Sequence, residues 1–259
     1  MDAKKRVVLI TGASAGIGRA FSEVFAEHGW DLVVTARRRD RLEELARTLG
    51  GRHGTRVHVV TADLADRNAG EQIAANLAKA GIAIDGIVNN AGYAVPAKYR
   101  SSTWQQQADF IQVMVTAVAE LTHRFLPGMV ERRYGRIVNI ASVLGLLPGA
   151  STGHTLYGPA KAFVVRFSQA LSTEVHKHGV HVTAVCPGFT YSEFHDVSNT
   201  RQQVSAYPRA MWMDAETVAR QGYDASMRGD VVYVNGWINW GITSVAKVIP
   251  EELLMKMVR

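Results

Sequence analysis

The 259-residue chain is 47% hydrophobic and 20% charged, ordinary proportions for a globular protein large enough to bury a core. It has no apolar run of the roughly eighteen residues that span a bilayer, and its single cysteine, Cys186, excludes an internal disulfide and fits a reducing cytoplasm. The net charge of +6 invites a nucleic-acid partner, yet no zinc-finger spacing, heptad or aromatic–basic RNA signature accompanies it.

The start, "MDAKKRVVLITG", places basic residues before an apolar run, as a secretion leader does. The run breaks at Thr11-Gly12 without a cleavage site, so it reads as a first strand, "RVVLIT". "TGASAGIG" (Thr11–Gly18) follows directly and opens a helix over Arg19–His28. Gly12 permits a tight turn there, and Gly16 and Gly18 let backbone approach a pyrophosphate at a helix N-terminus. No Lys-Ser/Thr pair follows, so this is not a P-loop, and a purely structural turn is the plainer alternative.

The second strand, "DLVVTA", ends in "VVTARRRDRL". Ala36 stands where dinucleotide folds that prefer NAD usually place an acid, and Arg37 follows it. A guanidinium suits a 2′-phosphate in charge and in its planar donor fork, and Ser14 can add a hydroxyl, which points to NADP(H). Arg38, Arg39 and Arg41 read equally well as the coat of a helix start over Arg41–Leu49. The third strand, "VHVVTA", leads into Asp63 and Leu64, then a helix over Gly70–Ala80. The fourth, "IDGIVNN", leads into "NNAG" (Asn89–Gly92) and a long helical pattern near Gln105–Glu131.

The fifth strand, "GRIVNIA", runs into Ser142, and "TLYGPAKAF" then places Tyr157 and Lys161 at i and i+4, on one helical face. Pro159 suits only a first turn, so the helix Tyr157–His178 should begin just before Tyr157, with Thr155 as a cap. "HVTAVC", the turn Cys186-Pro187-Gly188 and a last strand, "DVVYVN", complete the series. "HKHGVH" reads as a solvated helix end, and no metal site is expected. Apolar strands alternating with helices predict one α/β domain over 1–259, a doubly wound (Rossmann-type) parallel sheet of about seven strands. Ligands in such folds bind beyond the carboxyl ends of the strands.

In this order and over nearly the whole length, "TGASAGIG", Asp63, "NNAG", Ser142, "YGPAK" and "CPG" resemble the short-chain dehydrogenase/reductase family. The resemblance implies interconversion of an alcohol and a carbonyl with NADP(H) and no metal. It implies Tyr157 as general acid/base, Lys161 lowering its pKa and binding nicotinamide ribose, and Ser142 holding the substrate oxygen. Its cofactor-binding positions fall on Gly12, Ser14, Gly16, Ile17, Gly18, Arg37, Asp63, Leu64, Asn90, Ala91, Gly92, Tyr157, Lys161, Pro187, Gly188 and Thr190. A homodimer or homotetramer in the cytoplasm is the matching expectation.

Two departures stand out. Met114 occupies the position where the family commonly carries a catalytic asparagine, unless that alignment is a turn off. "GASTGHT" lengthens the segment before Tyr157 by about two residues, and its His154 reads as solvated, with an acid–base role as the alternative. Residues 189–228 are expected to form a substrate lid. Leu144, Leu147, Phe189, Tyr191, Phe194 and Trp212 make an apolar pocket conceivable, and Thr190 and Ser192 are candidate cofactor contacts. A helical extension over 237–259 follows. An NADPH-binding sensor or scaffold that has lost turnover is the competing function, and a basic nucleic-acid-binding protein the third.

Overall fold

The computed structural model describes residues 5–95, 98–147, 154–191, 208–246, 248–250 and 252–253. Its elements are β1 (Val7–Thr11), α1 (Gly16–Glu27), β2 (Asp31–Ala36), α2 (Arg39–His53), β3 (Val57–Thr61), α3 (Ala69–Lys79) and β4 (Gly86–Asn89). Then come α4 (Trp104–Ile111), a π-helical turn (Gln112–Thr116), α5 (Ala117–Glu131), β5 (Gly135–Ile140), α6 (Tyr157–Val175) and β6 (Val180–Cys186). The last are β7 (Phe189–Tyr191), β8 (Trp212–Asp214), α7 (Ala215–Arg228), β9 (Val232–Val234) and α8 (Trp237–Ala246).

Seven strands form a sheet in the order β3-β2-β1-β4-β5-β6-β9, with every neighbouring pair parallel. All seven strand-like runs of the sequence lie in it. Side chains alternate across the sheet, so each strand feeds two cores. Val8, Ile10, Leu32, Val34 and Val138 pack with Phe21, Phe25, Leu45 and Val218 from α1, α2 and α7. Leu9, Val33, Ile87 and Ile137 face the other way, onto Ile73, Leu121 and Leu171 from α3, α5 and α6. Strands covered on both faces explain the continuous apolar runs. The chain builds outward from β1 to β3, then crosses to β4, which leaves a crevice where the order reverses.

Three features depart from the sequence reading. The long helix is interrupted: Thr103 and Gln106 form a capping box at the start of α4, and the π-helical turn separates α4 from α5. The lid range divides at Asp214, which caps α7 by accepting from Thr217 N at 2.6 Å. Beyond it, 215–228 is a core helix rather than a lid, because Val218, Ala219 and Tyr223 pack into the α1 side of the sheet. Before it, β7 and β8 make a separate parallel pair. Lastly, a buried polar chain crosses the α5/α6 face. Asn89 Nδ2 donates to Thr122 Oγ1 at 3.1 Å and to Asn139 Oδ1 at 2.8 Å, and Asn139 Nδ2 donates to Ser168 Oγ at 2.9 Å.

Candidate active site

A cleft of about 1010 Å³ lies over the carboxyl ends of the strands. One end begins at the glycine loop. Gly12 and Gly16 take left-handed backbone angles, φ 66° and 54°, which favour glycine. A Cβ on Gly12 would come within 2.8 Å of Asn90 Nδ2 and 2.9 Å of Ala91 Cα, so the loop can lie directly on the "NNAG" turn. Thr11 ties the two together: its Oγ1 accepts from Asn90 N at 2.9 Å and from Ala91 N at 3.0 Å. Asn90 Nδ2 in turn donates to Thr11 O at 2.9 Å. Asn90 therefore borders the cleft while its amide braces the loop.

No side chain caps the N-terminus of α1, and no acid stands in its first turn. Its free N–H groups and positive dipole end meet the requirements of an anionic ligand. Gly12, Ser14, Gly16, Ile17, Asp63, Leu64, Asn90, Ala91 and Gly92 all line this part of the cleft. Gly18 does not. It is buried one layer behind, where a Cβ would meet Gly12 O at 2.4 Å. Arg37 and Arg38 both line the cleft, Arg37 exposed. Arg38 NH2 donates to Ser14 Oγ at 3.0 Å, so Arg38 belongs to the site and not merely to a helix coat. Tyr93 and Asp109 join this wall unpredicted, although Tyr93 directly follows Gly92. Burial, with Asp109 next in effect, pushes the Tyr93 phenol up to about 12.

At the other end, Ser142 ends β5 and Tyr157 opens α6. Both are buried, as is Lys161. The Ser142 hydroxyl hydrogen-bonds to the Tyr157 phenol oxygen. Lys161 Nζ donates to Ile140 O at 2.7 Å and lies 5.7 Å from the Tyr157 ring centroid. Gly145 makes this packing feasible, because a Cβ there would stand 2.6 Å from Lys161 backbone atoms. Burial dominates the titration of both groups. It pushes Tyr157 up to about 12, against the lowering hydrogen bond from Ser142. It also pushes Lys161 down to about 8. In the protein by itself, burial thus holds the phenol above its ordinary value and outweighs the hydrogen bond from Ser142.

His154 is buried, not solvated. Its Nδ1 accepts from Val95 N at 3.5 Å, its Nε2 meets Gln107 Oε1 at 3.1 Å, and its carbonyl accepts from Tyr157 N at 3.1 Å. It thus takes the place at the α6 start that Thr155 was expected to fill; no side chain caps α6. Met114, on the π-helical turn, packs with Phe110, Tyr157 and Ala160, and its Sδ would lie 2.8 Å from a Cβ on Gly92. Residue 114 does face the Tyr157 helix.

Val143, Leu144, Leu147, Pro187, Gly188, Phe189, Thr190, Met211, Asn239 and Ile242 wall this end. Tyr191 and Trp212 do not line the cleft; Trp212 stacks on Phe189 and Tyr191 at 5.3 and 4.8 Å. Ser192 and Phe194 lie outside the described residues.

A doubly wound sheet with a glycine loop, paired arginines and a buried Ser–Tyr–Lys group at one crevice defines a dinucleotide-dependent oxidoreductase. The family model for short chain dehydrogenase matches residues 6–203. The chain belongs to that family and acts on CH–OH and C=O groups. It is 36% identical to sulfoacetaldehyde reductase 2 of Chromohalobacter salexigens over 218 residues, 82% of this chain and 85% of that one. It is 38% identical over 186 residues to the NADP-dependent 3-hydroxy acid dehydrogenase YdfG of Escherichia coli, 70% and 71% of the two chains. A short-chain dehydrogenase from Sphingobium yanoikuyae in complex with NADPH superimposes with a TM-score of 0.82 at 30% identity, over 98% of this chain and 96% of that one.

Proposed function

We propose that the protein is an NADP(H)-dependent reductase of an apolar carbonyl compound. The observation that carries this reading is the buried Tyr157 phenol, hydrogen-bonded to Ser142 and backed by Lys161, at the far end of a cleft that starts at two arginines. Arg37 and Arg38 suit the 2′-phosphate of NADP(H), and the α1 N-terminus suits its pyrophosphate. Bound there, the cofactor supplies a hydride to the substrate carbonyl.

The protein's own part is orientation and proton transfer. Ser142 donates to the substrate oxygen and fixes it beside Tyr157. Tyr157, held neutral by burial, gives its proton to that oxygen. The Lys161 ammonium stabilises the phenolate left behind, and its bond to Ile140 O keeps it in register. Reprotonation runs past Met114, whose side chain offers a thioether in place of an amide.

Among the described cleft residues, the cations are Arg37, Arg38 and Lys161; Val143, Leu144, Leu147, Phe189, Met211 and Ile242 cover the substrate end. Among the described residues that wall is apolar and its one cation, Lys161, is held by Ile140 O, which favours an apolar ketone or aldehyde over the substrates named for the two relatives. A homo-oligomer fits this reading: Phe163 and Phe167 stack at 5.7 Å on α6, and Phe163 is 36% exposed. Met114 motivates the competing reading, a sensor that binds NADPH without turnover. A screen of NADPH oxidation against diverse ketones and aldehydes decides between them: turnover with apolar members is expected, and binding without turnover of any compound establishes the sensor.

A further inference from the structure

Helix α8 is built inside out. Its buried residues are Asn239 and Thr243, while Trp237 and Trp240 are 83% and 62% exposed. A helix lying on a protein normally turns its apolar stripe inward, so the inward polar pair needs a reason. Thr243 is satisfied locally, its Oγ1 donating to Asn239 O at 2.9 Å.

Asn239 is half satisfied. Its Nδ2 donates to Asn235 O at 2.8 Å, and this fixes the amide orientation, because only the nitrogen can serve a carbonyl. Oδ1 then has no donor among the described residues, although the side chain is 6% exposed and borders the cleft. The amide lies flat on Gly188, where a Cβ would come within 2.5 Å of Nδ2 and 2.6 Å of Oδ1. Glycine at 188 is what lets Asn239 reach the cleft. An acceptor on the cleft wall with no donor among the described residues is open to one from the ligand.

The cleft's polarity identifies that donor. The phosphate end is marked by Arg37 and Arg38, so a dinucleotide lies with its nicotinamide at the Tyr157 end, where Gly188, Thr190, Asn239 and Ile242 form the wall. Thr190 is committed locally, its Oγ1 donating to Gly188 O at 3.2 Å. The nicotinamide ring carries one substituent with N–H donors, its carboxamide. We propose that Asn239 Oδ1 accepts a hydrogen bond from that carboxamide, so that α8, outside every glycine motif, fixes the ring's orientation. The inference rests on the NADP(H)-reductase reading.

Calorimetric titration of the intact protein tests this without turnover, using NADPH and its acetylpyridine analogue, in which a methyl ketone replaces the carboxamide. The wild type should bind the analogue about tenfold more weakly, the worth of one neutral hydrogen bond. Asn239→Leu and Asn239→Ala should weaken NADPH about five- to tenfold and spare the analogue, bringing the two within about twofold. Thr243→Val, on the same buried face but off the cleft, should keep the wild-type ratio. Full discrimination in the Asn239 variants, or equal weakening of both ligands, overturns the assignment. Absence of NADPH binding to the wild type overturns the cofactor reading itself.

Discussion

The Lys161 ammonium lies 5.7 Å from the centre of the Tyr157 ring, and burial drives the two groups in opposite directions, the phenol up to about 12 and the ammonium down to about 8. Carbonyl reduction needs the phenol protonated and the lysine charged. Its rate should hold steady through neutral pH and fall above about pH 8 as Lys161 loses its proton. Alcohol oxidation needs phenolate and should rise with pH. Lys161→Arg keeps the charge and should remove the limb near 8 at a lower plateau. A reduction rate still flat in the wild type well above that limb would count against Lys161 as the titrating group.

A buried ammonium is costly. Lys161→Met should raise thermal stability at pH 7 by about 1–3 kcal/mol while turnover collapses. The sign follows from proton binding: between about 8 and the unfolded value of 10.5, the unfolded chain holds a proton that the native chain has released. Wild-type stability therefore gains with pH across that window, and the variant's advantage should shrink. Denaturant unfolding of both proteins at neutral and alkaline pH measures it; an advantage that grows with pH contradicts the shift.

Tyr157→Phe should lower reduction at least a thousandfold while NADPH affinity stays within about threefold, since the ring is kept and only the proton donor is lost. Ser142→Ala should cost about a hundredfold, chiefly in kcat. Undiminished turnover in Tyr157→Phe would remove that residue from the chemistry.

Arg37 and Arg38 should separate in cofactor selection. Arg37 is exposed and makes no hydrogen bond or ion pair among the described residues, whereas Arg38 is braced by Ser14. Arg37→Asp should move the NADPH/NADH ratio of kcat/KM towards NADH by tenfold or more, through repulsion of the 2′-phosphate. Arg38→Ala and Ser14→Ala should move it by smaller, similar amounts because they disturb one pair. An unchanged ratio in Arg37→Asp assigns the discrimination elsewhere.

Met114 fills an apolar site beside Tyr157 and Gly92. Met114→Leu should leave kcat within about twofold, as a change of similar volume. Met114→Asn should destabilise by about 1–3 kcal/mol, because it buries an amide among apolar neighbours, and should not raise kcat. A large gain in kcat for the asparagine variant would mean that reprotonation limits the natural enzyme.

How much of this could be read from the residues depends on range. The seven strands announce themselves because burial on both faces forces unbroken apolar runs, and the glycine loop, Tyr157 and Lys161 announce themselves by spacing. Arg38 reads equally well from the sequence as surface charge or as a phosphate contact, and only the fold puts Ser14 against it. His154 looked solvated because its partners, Val95 and Gln107, are 59 and 47 residues away. Asn239 gives no local signal at all; only the meeting of α8 with Gly188 makes it part of the cleft. The short β7 and β8 pair where Trp212 stacks on Phe189 and Tyr191, a contact across a stretch of chain that period-counting does not reach.

The polar chain through the α5/α6 face has a consequence for assembly of the fold. Asn89 and Asn139 are register partners on β4 and β5, and both amides point into the α5/α6 layer, where Thr122 and Ser168 accept from them. Sliding either strand by one residue would separate them and turn the shifted strand's amide to the other side of the sheet. Apolar neighbours such as Val88 and Val138 tolerate such a slip far better. The pair therefore favours the native register of β4 and β5, and it sits where the strands deliver Asn90 and Ser142 to the cleft. A misaligned register there would forfeit these hydrogen bonds and displace the cleft residues that follow each strand.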